Sequence, residues 1–356
     1  MRIVQLLPEL NQGGVERGVV ELSRELVRRG HESIVISAGG KLVKQIEADG
    51  GRHIQFDVAS KNIFTVPSRI AKLRKIFAKI QPDIIHVRSR VPAWLSFFAK
   101  NAPFVTTVHG FNSINFYSKI MTRGDRVICV SNPVKEYVVE HYKVDEQKIR
   151  VIHRGIDLEL FNPASLDREF MEKFSAKFDL AGKFVITTVG RITQLKDYET
   201  FIEAVTILRK KRKDLKALIV GGVHKDKQDY FASLQQLVAQ KGLEKMIEFC
   251  GSQSKIAEIY ALSDVVVSSS KKPESFGRSI AEAMAMNTPV VAPAHGGALD
   301  ICKDGYGALF LPSDAQDLAQ KIEQVEPKEG MRDYIARNFS LHQMVEKTLE
   351  VYKELC

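Results

Sequence analysis

Two cations in the second half of the chain have the residue types and spacing that suit a phosphate-containing ligand. Arg191 and Lys196 follow the apolar run 184–189, and Gly190 separates that run from Arg191. A guanidinium presents a planar fork to phosphate oxygens, and an ammonium adds a compact point charge. A single lysine or arginine in a loop is more commonly a solvated cation. The pair predicts a diphosphate site, with two solvated cations as the alternative.

Two carboxylates lie in the segment PESFGRSIAEAMA, which spans residues 273–285. Glu274 is predicted to lie in a loop after a strand, and Glu282 follows eight residues later, about two helical turns away and nearly on the same face. Carboxylates in this arrangement can accept hydrogen bonds from sugar hydroxyls at two ends of one ligand. A pair of surface carboxylates without function would not explain why Phe276 and Gly277 stand between them at the predicted helix start. The segment therefore predicts a binding site.

A glycine pair near the N-terminus has the features of a phosphate-binding loop. Gly13 and Gly14 follow the first apolar run and precede a helical pattern of apolar residues over 15–26. Glycines let backbone N–H groups approach an anion closely, and the helix N-terminus contributes partial positive charge. A plain tight turn is the alternative. The spacing differs from the G-x-G-x-x-G dinucleotide fingerprint, which argues against a nicotinamide-dependent enzyme.

Two histidines lie at the ends of predicted strands in the first half of the chain. His109 is placed where its imidazole could bond a sugar hydroxyl or tune a developing charge. We interpret His86, at the end of another strand, as structural. Its neighbours Arg88 and Arg90 suggest contact with an acceptor or a phosphate.

Most of these candidate residues follow short apolar runs rich in β-branched residues, which alternate with longer amphipathic stretches. That alternation indicates βαβ units around a parallel sheet. It occurs twice, so the predicted fold class is α/β, with two Rossmann-like doubly wound domains facing a cleft. The predicted strands are 3–7, 33–37, 84–87, 104–108, 126–130 and 151–152 in the first series, and 184–189, 217–220, 247–250, 265–268, 290–292 and 308–311 in the second.

A chain of 356 residues is longer than one hydrophobic core usually supports. The predicted domains are 1–162 and 163–335. The remaining helix, 336–356, either completes the second domain or crosses back to the first. Because open parallel sheets bind ligands beyond the carboxyl ends of their strands, the loops after the strands should carry the binding residues.

The composition is that of a globular protein, and the net charge narrows the range of expected binding partners. The net charge of +9 favours anionic partners such as nucleotides or anionic lipid surfaces. Nucleic acid is disfavoured because aromatic residues are not interleaved on a basic face. The four cysteines lack metal-ligand spacing and are interpreted as reduced thiols. Neither a secretory signal nor a membrane-spanning run is evident, so we expect a cytoplasmic protein.

Further motifs accompany these residues. The complete set is Gly13-Gly14 with Glu16, Thr107-Val108-His109-Gly110, Val130-Ser131, Arg154-Gly155-Ile156-Asp157, Gly190-Arg191 with Lys196, Gly221-Gly222, and Glu274 with Glu282. Together they resemble glycosyltransferase family 4, whose members are retaining enzymes of the GT-B fold. The resemblance covers nearly the whole chain, and the Glu-x7-Glu motif is specific in this context. Residues 89–94 and 273–278 are similar to a bacterial subgroup associated with lipopolysaccharide assembly.

The resemblance implies a substrate class and residue roles. A nucleotide-diphosphate sugar would be the donor, bound by the second domain, and a glycan or lipid-linked glycan would be the acceptor, on the side of the first. Arg191 and Lys196 would hold the diphosphate, and Glu274 the donor sugar. Glu282 would contact the ribose, and His109 the donor sugar near the reaction centre. The implied donor-binding residues are Gly13, Gly14, Arg191, Lys196, Glu274, Phe276, Gly277 and Glu282, and the implied catalytic residues are His109, Arg191, Lys196 and Glu274.

The chemistry expected from these residues needs no metal or other cofactor. The chain lacks an Asp-x-Asp pair, and Arg191, Lys196 and helix ends can take the electrostatic part of a metal ion. No carboxylate is evident as a glycosyl nucleophile, which favours same-face attack. Arg278 and Asp300 depart from the family pattern and leave the donor identity open. A nucleotide-sugar epimerase or hydrolase, and a catalytically silent donor-binding subunit, are the alternative functions.

The stretch 61–80 predicts a helix with one basic and one apolar face. Between residues 52 and 90 there are nine Lys or Arg against two Asp. Such a helix can lie on an anionic bilayer, here the inner face of the cytoplasmic membrane. Packing of the apolar face on the sheet is the alternative, and both can hold together. The cations assigned to this contact are Arg69, Lys72, Lys75 and Lys79.

Overall fold

The computed structural model describes residues 1–11 and 13–356 of the chain. Within them the chain forms two compact units, of which the first comprises 1–155 and 341–356 and the second 156–340. The predicted α/β class with two Rossmann-like domains is confirmed, because each unit is built on one parallel sheet with interleaved helices.

The first unit contains a sheet with the strand order β3-β2-β1-β4-β5-β6-β7. Its strands are β1 (Arg2–Leu6), β2 (Glu32–Ser37), β3 (Arg52–Gln55), β4 (Ile84–Val87), β5 (Phe104–Val108), β6 (Arg126–Cys129) and β7 (Ile149–Val151). Its helices up to residue 155 are α1 (Gly14–Arg28), α2 (Val43–Ala48), α3 (Val66–Ile80), α4 (Arg90–Ala99), α5 (Phe116–Lys119) and α6 (Asn132–Tyr142).

The second unit contains a sheet with the order β10-β9-β8-β11-β12-β13. Its strands are β8 (Phe184–Val189), β9 (Leu215–Val220), β10 (Ile247–Gly251), β11 (Val265–Val267), β12 (Val290–Pro293) and β13 (Ala308–Phe310). Its helices are α7 (Arg168–Phe178), α8 (Tyr198–Leu208), α9 (Gln228–Gln240), α10 (Ile256–Ala261), α11 (Arg278–Ala285), α12 (Ala298–Ile301), α13 (Ala315–Gln324) and α14 (Met331–Phe339).

Both sheets wind outwards from their first strand. β1 lies between β2 and β4, and β8 lies between β9 and β11. The winding direction reverses at these points, and ligands bind to open α/β sheets at such switch points. The central strands are buried on both faces, which explains why their sequences are near-continuous apolar runs.

The strand β3 was not predicted from the sequence. It reads RHIQ, with one aliphatic residue, and its side chains are half-buried or exposed. An edge strand has a partner on one side, here β2, and packs less of its surface against the core. A polar edge strand of this kind lacks the apolar run by which the others were recognised.

The boundary between the units lies before Ile156, whereas the sequence analysis predicts it after residue 162. Ile156 is fully buried and Phe161 nearly so, and both pack in the core of the second unit. Arg332 donates a hydrogen bond to the carbonyl of Leu158 at 2.9 Å. These contacts attach residues 156–162 to the second unit.

The C-terminal helix α15 (Leu341–Lys353) belongs to the first unit. Its apolar face packs with residues of β1 and α1, and Tyr352 is fully buried there. The Tyr352 hydroxyl lies 2.6 Å from Nδ1 of His86, and the Thr107 hydroxyl lies 2.6 Å from Nε2 of the same ring. Burial holds the pKa of His86 well below its usual range, so the ring is neutral and its role is structural.

The helix predicted to touch a membrane is α3. Leu73 and Phe77 are fully buried in the core of the first unit, so packing explains the apolar face. Lys72 and Lys75 are exposed. Arg69 is 5% exposed, so its assignment to the basic face is wrong. Among the described residues, no helix has both the length and the apolar character needed to cross a bilayer.

Replacing Tyr352 by phenylalanine should destabilise the first unit by about 1–3 kcal/mol, because it leaves a buried nitrogen of His86 without its partner. The measurement is the midpoint of urea unfolding followed by circular dichroism. Tyr117→Phe is the control, since the structure gives its more exposed hydroxyl no hydrogen bond within the described chain. Equal midpoints for the two variants would contradict the proposed contribution of this contact.

Candidate active site

Two loops of the second unit meet at the switch point of its sheet. One follows β8 and the other follows β11, the strand that pairs with β8. The hydroxyl of Ser269 donates to the carbonyl of Lys196 at 2.8 Å, and the backbone N–H of Lys271 donates to the carbonyl of Leu195 at 2.9 Å. The two loops are therefore fastened to each other, and they carry the residues singled out from the sequence.

The structure brings Lys196 and Glu274 together as an ion pair. Nζ of Lys196 lies 2.6 Å from Oε1 of Glu274, and the hydroxyl of Ser270 donates to the same oxygen. Burial alone would raise the pKa of Glu274, but the charge and hydrogen bond of Lys196, the Ser270 bond and the nearby His295 hold it below its usual range. Glu274 is therefore ionised at neutral pH despite being partly buried.

Glu282 is the more deeply buried of the two carboxylates, with 8% of its surface exposed. It accepts hydrogen bonds from the Tyr260 hydroxyl at 3.1 Å and from Nε of Arg278 at 2.8 Å. Burial and the charge of Glu282 raise the pKa of Tyr260 well above its usual value, so the phenol stays protonated and donates. Arg278, one of the two departures from the family pattern, thus neutralises the Glu282 carboxylate.

Glu274 lies in a loop after a strand, as predicted, but its predicted spacing from Glu282 needs correction. The helix α11 begins at Arg278, so residues 274–282 do not span two helical turns. The loop enters α11 through Gly277, whose φ of +98° suits a residue without Cβ. Glu274 therefore lies in the loop and Glu282 on the helix, and the two carboxylates have different hydrogen-bond partners.

A close approach of two backbones holds the Glu274 loop in place. The N–H of Gly297 donates to the carbonyl of Glu274 at 2.8 Å. A Cβ at position 297 would lie 2.2 Å from the carbonyl oxygen of Phe276, which no side chain could tolerate. Phe276 itself is buried and packs against Phe339, with ring centroids 5.9 Å apart. The glycine after β12 therefore positions the loop after β11.

Arg191 is the remaining cation of the predicted diphosphate site. It follows β8, is exposed, and has no ion-pair partner among the residues that the structure describes. The carbonyl of Gly190, directly before it, accepts a hydrogen bond from the Tyr198 hydroxyl at 2.7 Å. One cation of the predicted pair is therefore engaged with Glu274, and the other is available to an anion.

The sequence analysis missed His295. It lies two residues after β12, and both nitrogens of its ring are buried without a hydrogen-bond partner in the described chain. Its position near Glu274 contributes to the lowered pKa of that carboxyl. The signal was present, because a polar residue at the carboxyl end of a parallel strand precedes the glycine pair 296–297.

The first unit holds a second group of predicted residues. Arg154 donates to the carbonyl of Gly14 and, through Nη2 at 3.1 Å, to Nδ1 of His109. Because a guanidinium only donates, Nδ1 accepts and the proton of the neutral ring lies on Nε2. Burial, followed by the charges of Arg154 and Arg88, holds the pKa of His109 well below its usual range.

The His109 ring borders a cavity of about 240 Å³ in the first unit. Its Nε2 is buried and has no hydrogen-bond partner among residues 1–11 and 13–356. Arg88 and Arg90 line the same cavity. Gly13 precedes α1 in an extended conformation and forms its N-cap without a side-chain hydrogen bond. His109 offers an N–H donor to a polar ligand in this cavity, and Arg88 and Arg90 offer two cations.

Known proteins match both units. The family model "Glycosyltransferase Family 4" matches residues 12–160, and "Glycosyl transferases group 1" matches 170–340. The crystal structure of a glycosyltransferase from Rickettsia africae ESF-5 is 37% identical, covers 99% of this chain and 98% of that chain, and superposes with a TM-score of 0.92. This chain belongs to the family 4 glycosyltransferases.

Two further known proteins resemble the glycosyltransferase over nearly the full length of both chains. Spore coat protein SA of Bacillus subtilis is 24% identical over 96% of this chain and 95% of its own length. The crystal structure of Anabaena HepE in complex with UDP is 24% identical, covers 100% of both chains and has a TM-score of 0.85. At this identity, the likeness to HepE establishes the shared fold.

Replacing Lys196 by methionine in the glycosyltransferase should raise the pKa of Glu274 and destabilise the fold at neutral pH by about 1–3 kcal/mol. The folded pKa of Glu274 lies below the ordinary value of 4.5, so the ion pair stabilises the fold above that pH. The stabilisation is lost as the pH falls through the lower pKa of the folded state. Urea midpoints of wild type and variant should therefore converge in acid.

Lys173→Met is the matched control for this charge removal. Its ion pair with Glu169 is highly exposed, so its loss should leave the midpoint almost unchanged at every pH. A pH-independent difference between wild type and Lys196→Met would show that Glu274 is not the group responsible.

Proposed function

We propose that this glycosyltransferase moves a sugar from a nucleotide-diphosphate donor to a glycan or lipid-linked glycan of a bacterial surface polysaccharide such as lipopolysaccharide. The transfer retains the anomeric configuration and needs no metal ion. The observation that carries the proposal is the Lys196–Glu274 ion pair, fastened between two loops with exposed Arg191 on one of them. Cations for phosphate and an ionised carboxylate for sugar hydroxyls thereby stand side by side.

The donor class has support from the site and from a relative of the same fold. Anabaena HepE has been solved in complex with UDP and with UDP-glucose. In this chain, Arg191 and Lys196 supply the cations for a diphosphate, and Glu274 supplies an acceptor for sugar hydroxyls. Glu282, held by Tyr260 and Arg278, is assigned to the ribose.

The leaving group sets the electrostatic task. As the bond between the anomeric carbon and the phosphate oxygen breaks, negative charge grows on the diphosphate. Arg191, Lys196 and the N-terminus of α11 can offset that charge without reorganising. A metal ion would do the same task, so we propose that these groups replace it.

Retention follows from the order of bond changes that we propose. The acceptor oxygen forms its bond to the anomeric carbon on the face that the diphosphate leaves. The acceptor proton passes to an oxygen of the departing phosphate, so no enzyme carboxylate becomes attached to the sugar. Oε1 of Glu274 accepts hydrogen bonds from Lys196 and Ser270, which fits the role of a carboxylate that binds hydroxyl groups.

His109 is proposed to bind the donor sugar near the reaction centre. The ring is neutral, Nδ1 is occupied by Arg154, and the buried Nε2–H can donate to a sugar hydroxyl. This role makes His109 a binding group rather than a general acid.

The experiment combines a panel of nucleotide sugars with surface-glycan acceptors and reads the anomeric configuration of the product by proton NMR. Transfer with retained configuration in excess EDTA is expected. Free sugar or an isomer formed without acceptor would support an epimerase or hydrolase instead. Donor binding without turnover would support a silent subunit. Activity lost in EDTA and restored by manganese or magnesium would contradict metal independence.

Arg191→Ala and Lys196→Ala should each lower kcat/KM by about 10- to 150-fold, because each removes a charge-assisted contact to the diphosphate worth roughly 1.5 to 3 kcal/mol. Lys210→Ala, which removes an exposed cation two residues after the C-terminal end of α8, is the control. Steady-state kinetics with the donor varied provide the measurement. Rates equal to wild type in both site variants would refute the diphosphate clamp.

A further inference from the structure

The first unit exposes an apolar surface that the transfer chemistry does not use. Phe64 is 89% exposed, Phe116 75% and Ile63 72%, and Ile114 and Phe98 are more than half exposed. Single exposed apolar residues are ordinary, but a contiguous group of large ones marks an interaction site. We use the name aromatic surface for these five residues, Ile63, Phe64, Phe98, Ile114 and Phe116, together with the groove described next.

A groove of about 430 Å³ runs through this surface. Its lining is mostly apolar and includes Ile63, Val66, Val91, Trp94, Phe98 and Phe116. Trp94 stacks near Phe98 with ring centroids 6.1 Å apart and lies 5.4 Å from the ring of Phe116. Its indole N–H donates to the carbonyl of Tyr117 at 3.1 Å, so contacts within the chain hold the shape of the groove.

A buried cation lies at the edge of the groove. Arg69 donates through Nη2 to the carbonyl of Asn62 at 3.1 Å, but its Nε and Nη1 are buried and have no partner in the described part of the chain. Desolvating a charge without a counter-ion is costly, so the site favours an added anion. Lys61 lines the same groove.

Arg69 also lines an adjoining cavity of about 480 Å³, together with Lys72, Thr65 and Ser68. The carboxylate in that cavity, Asp57, accepts the backbone N–H groups of residues 59 and 60 and forms no ion pair with Arg69. Positive charge and hydroxyl groups thus stand next to an apolar groove. An amphiphile with an anionic headgroup has the matching chemistry.

We propose that the aromatic surface docks the enzyme on a membrane that contains anionic phospholipid. Ile63, Phe64 and Phe116 enter the boundary between headgroups and acyl chains, and the exposed Lys61 and Lys72 beside the groove pair with lipid phosphates. The extent of the surface favours a bilayer over a single bound lipid. Phe64 and Ile114 lie outside the lining of the groove and would stay in water around one lipid, whereas a bilayer covers them.

This surface differs from the basic face of α3 that the sequence suggested. The exposed apolar side chains come from the 3₁₀ turn Ile63–Thr65, from α4 and from α5. The helix α3 adds Val66 to the groove lining, whereas its Leu73 and Phe77 are packed in the core. The excess of positive charge between residues 52 and 90 complements an anionic headgroup layer. Docking is independent of donor binding, since the cations of the donor site lie in the second unit.

Trp94 is the single tryptophan of the chain, so its fluorescence reports on the groove. With vesicles of phosphatidylcholine and phosphatidylglycerol, the emission should shift to the blue and be quenched by lipids brominated on the acyl chain. Phosphatidylcholine alone should bind more weakly, and high salt should weaken binding to the anionic vesicles. Co-sedimentation gives the affinities.

The variants separate the apolar and the charged contributions. Ile63→Ser with Phe64→Ser should weaken vesicle binding at least about tenfold, whereas Leu311→Ser, at an exposed residue of the second unit, should leave it unchanged. Lys61→Gln and Lys72→Gln should each weaken binding about fivefold. These side chains are exposed, so the variants should fold, and donor binding should stay at the wild-type level.

Three results would overturn the proposal. They are absence of binding to anionic vesicles by a wild-type protein that binds its donor, equal binding by wild type and the Ile63/Phe64 double variant, and equal binding to both lipid compositions. The first would leave a protein partner as the occupant of the surface. Loss of donor binding with vesicle binding intact would count against the proposed function and leave this docking surface standing.

Discussion

The site depends on one constraint of parallel sheets, which is that the carboxyl ends of neighbouring strands lie at the same edge. In the second unit the winding reverses at β8, so the loops after β8 and β11 become neighbours although many residues separate them. The bonds of Ser269 and Lys271 to the β8 loop fasten these loops together. The Lys196–Glu274 pair, and with it the charge state of the site, is a consequence of that winding.

The two units differ in whether their buried charges have partners of opposite charge. Glu274 and Glu282 have cationic partners within the second unit, Lys196 and Arg278, and despite burial the charge of Lys196 holds the pKa of Glu274 below its usual range. Arg69 of the first unit lacks an acidic partner in the described chain. The paired carboxylates suit a neutral ligand with several hydroxyl groups. A cation without an acidic partner among the described residues suits an anion.

Histidines at the ends of two neighbouring strands show how packing separates roles that look alike in sequence. His86 on β4 uses both ring nitrogens, one with Tyr352 of the C-terminal helix and one with Thr107. His109 after β5 uses one nitrogen with Arg154 and keeps the other unpartnered in the described chain. Arg154 also holds the carbonyl of Gly14, so it joins the glycine loop to the histidine.

The sequence by itself determined the features that are local. Apolar runs and helical periodicity predicted the α/β class, the repeated unit and twelve of the strands, and the loops after strands contained Arg191, Lys196 and Glu274. The tertiary structure alone decided which distant residues meet. It showed the ion pair between Lys196 and Glu274, which are 78 residues apart in sequence, and the partners of His86. It also showed that Arg69 is buried and that the ring nitrogens of His295 have no hydrogen-bond partner among the described residues. Periodicity reports the neighbours of a residue along the chain, whereas charge state and burial depend on neighbours brought close by the winding of the sheet.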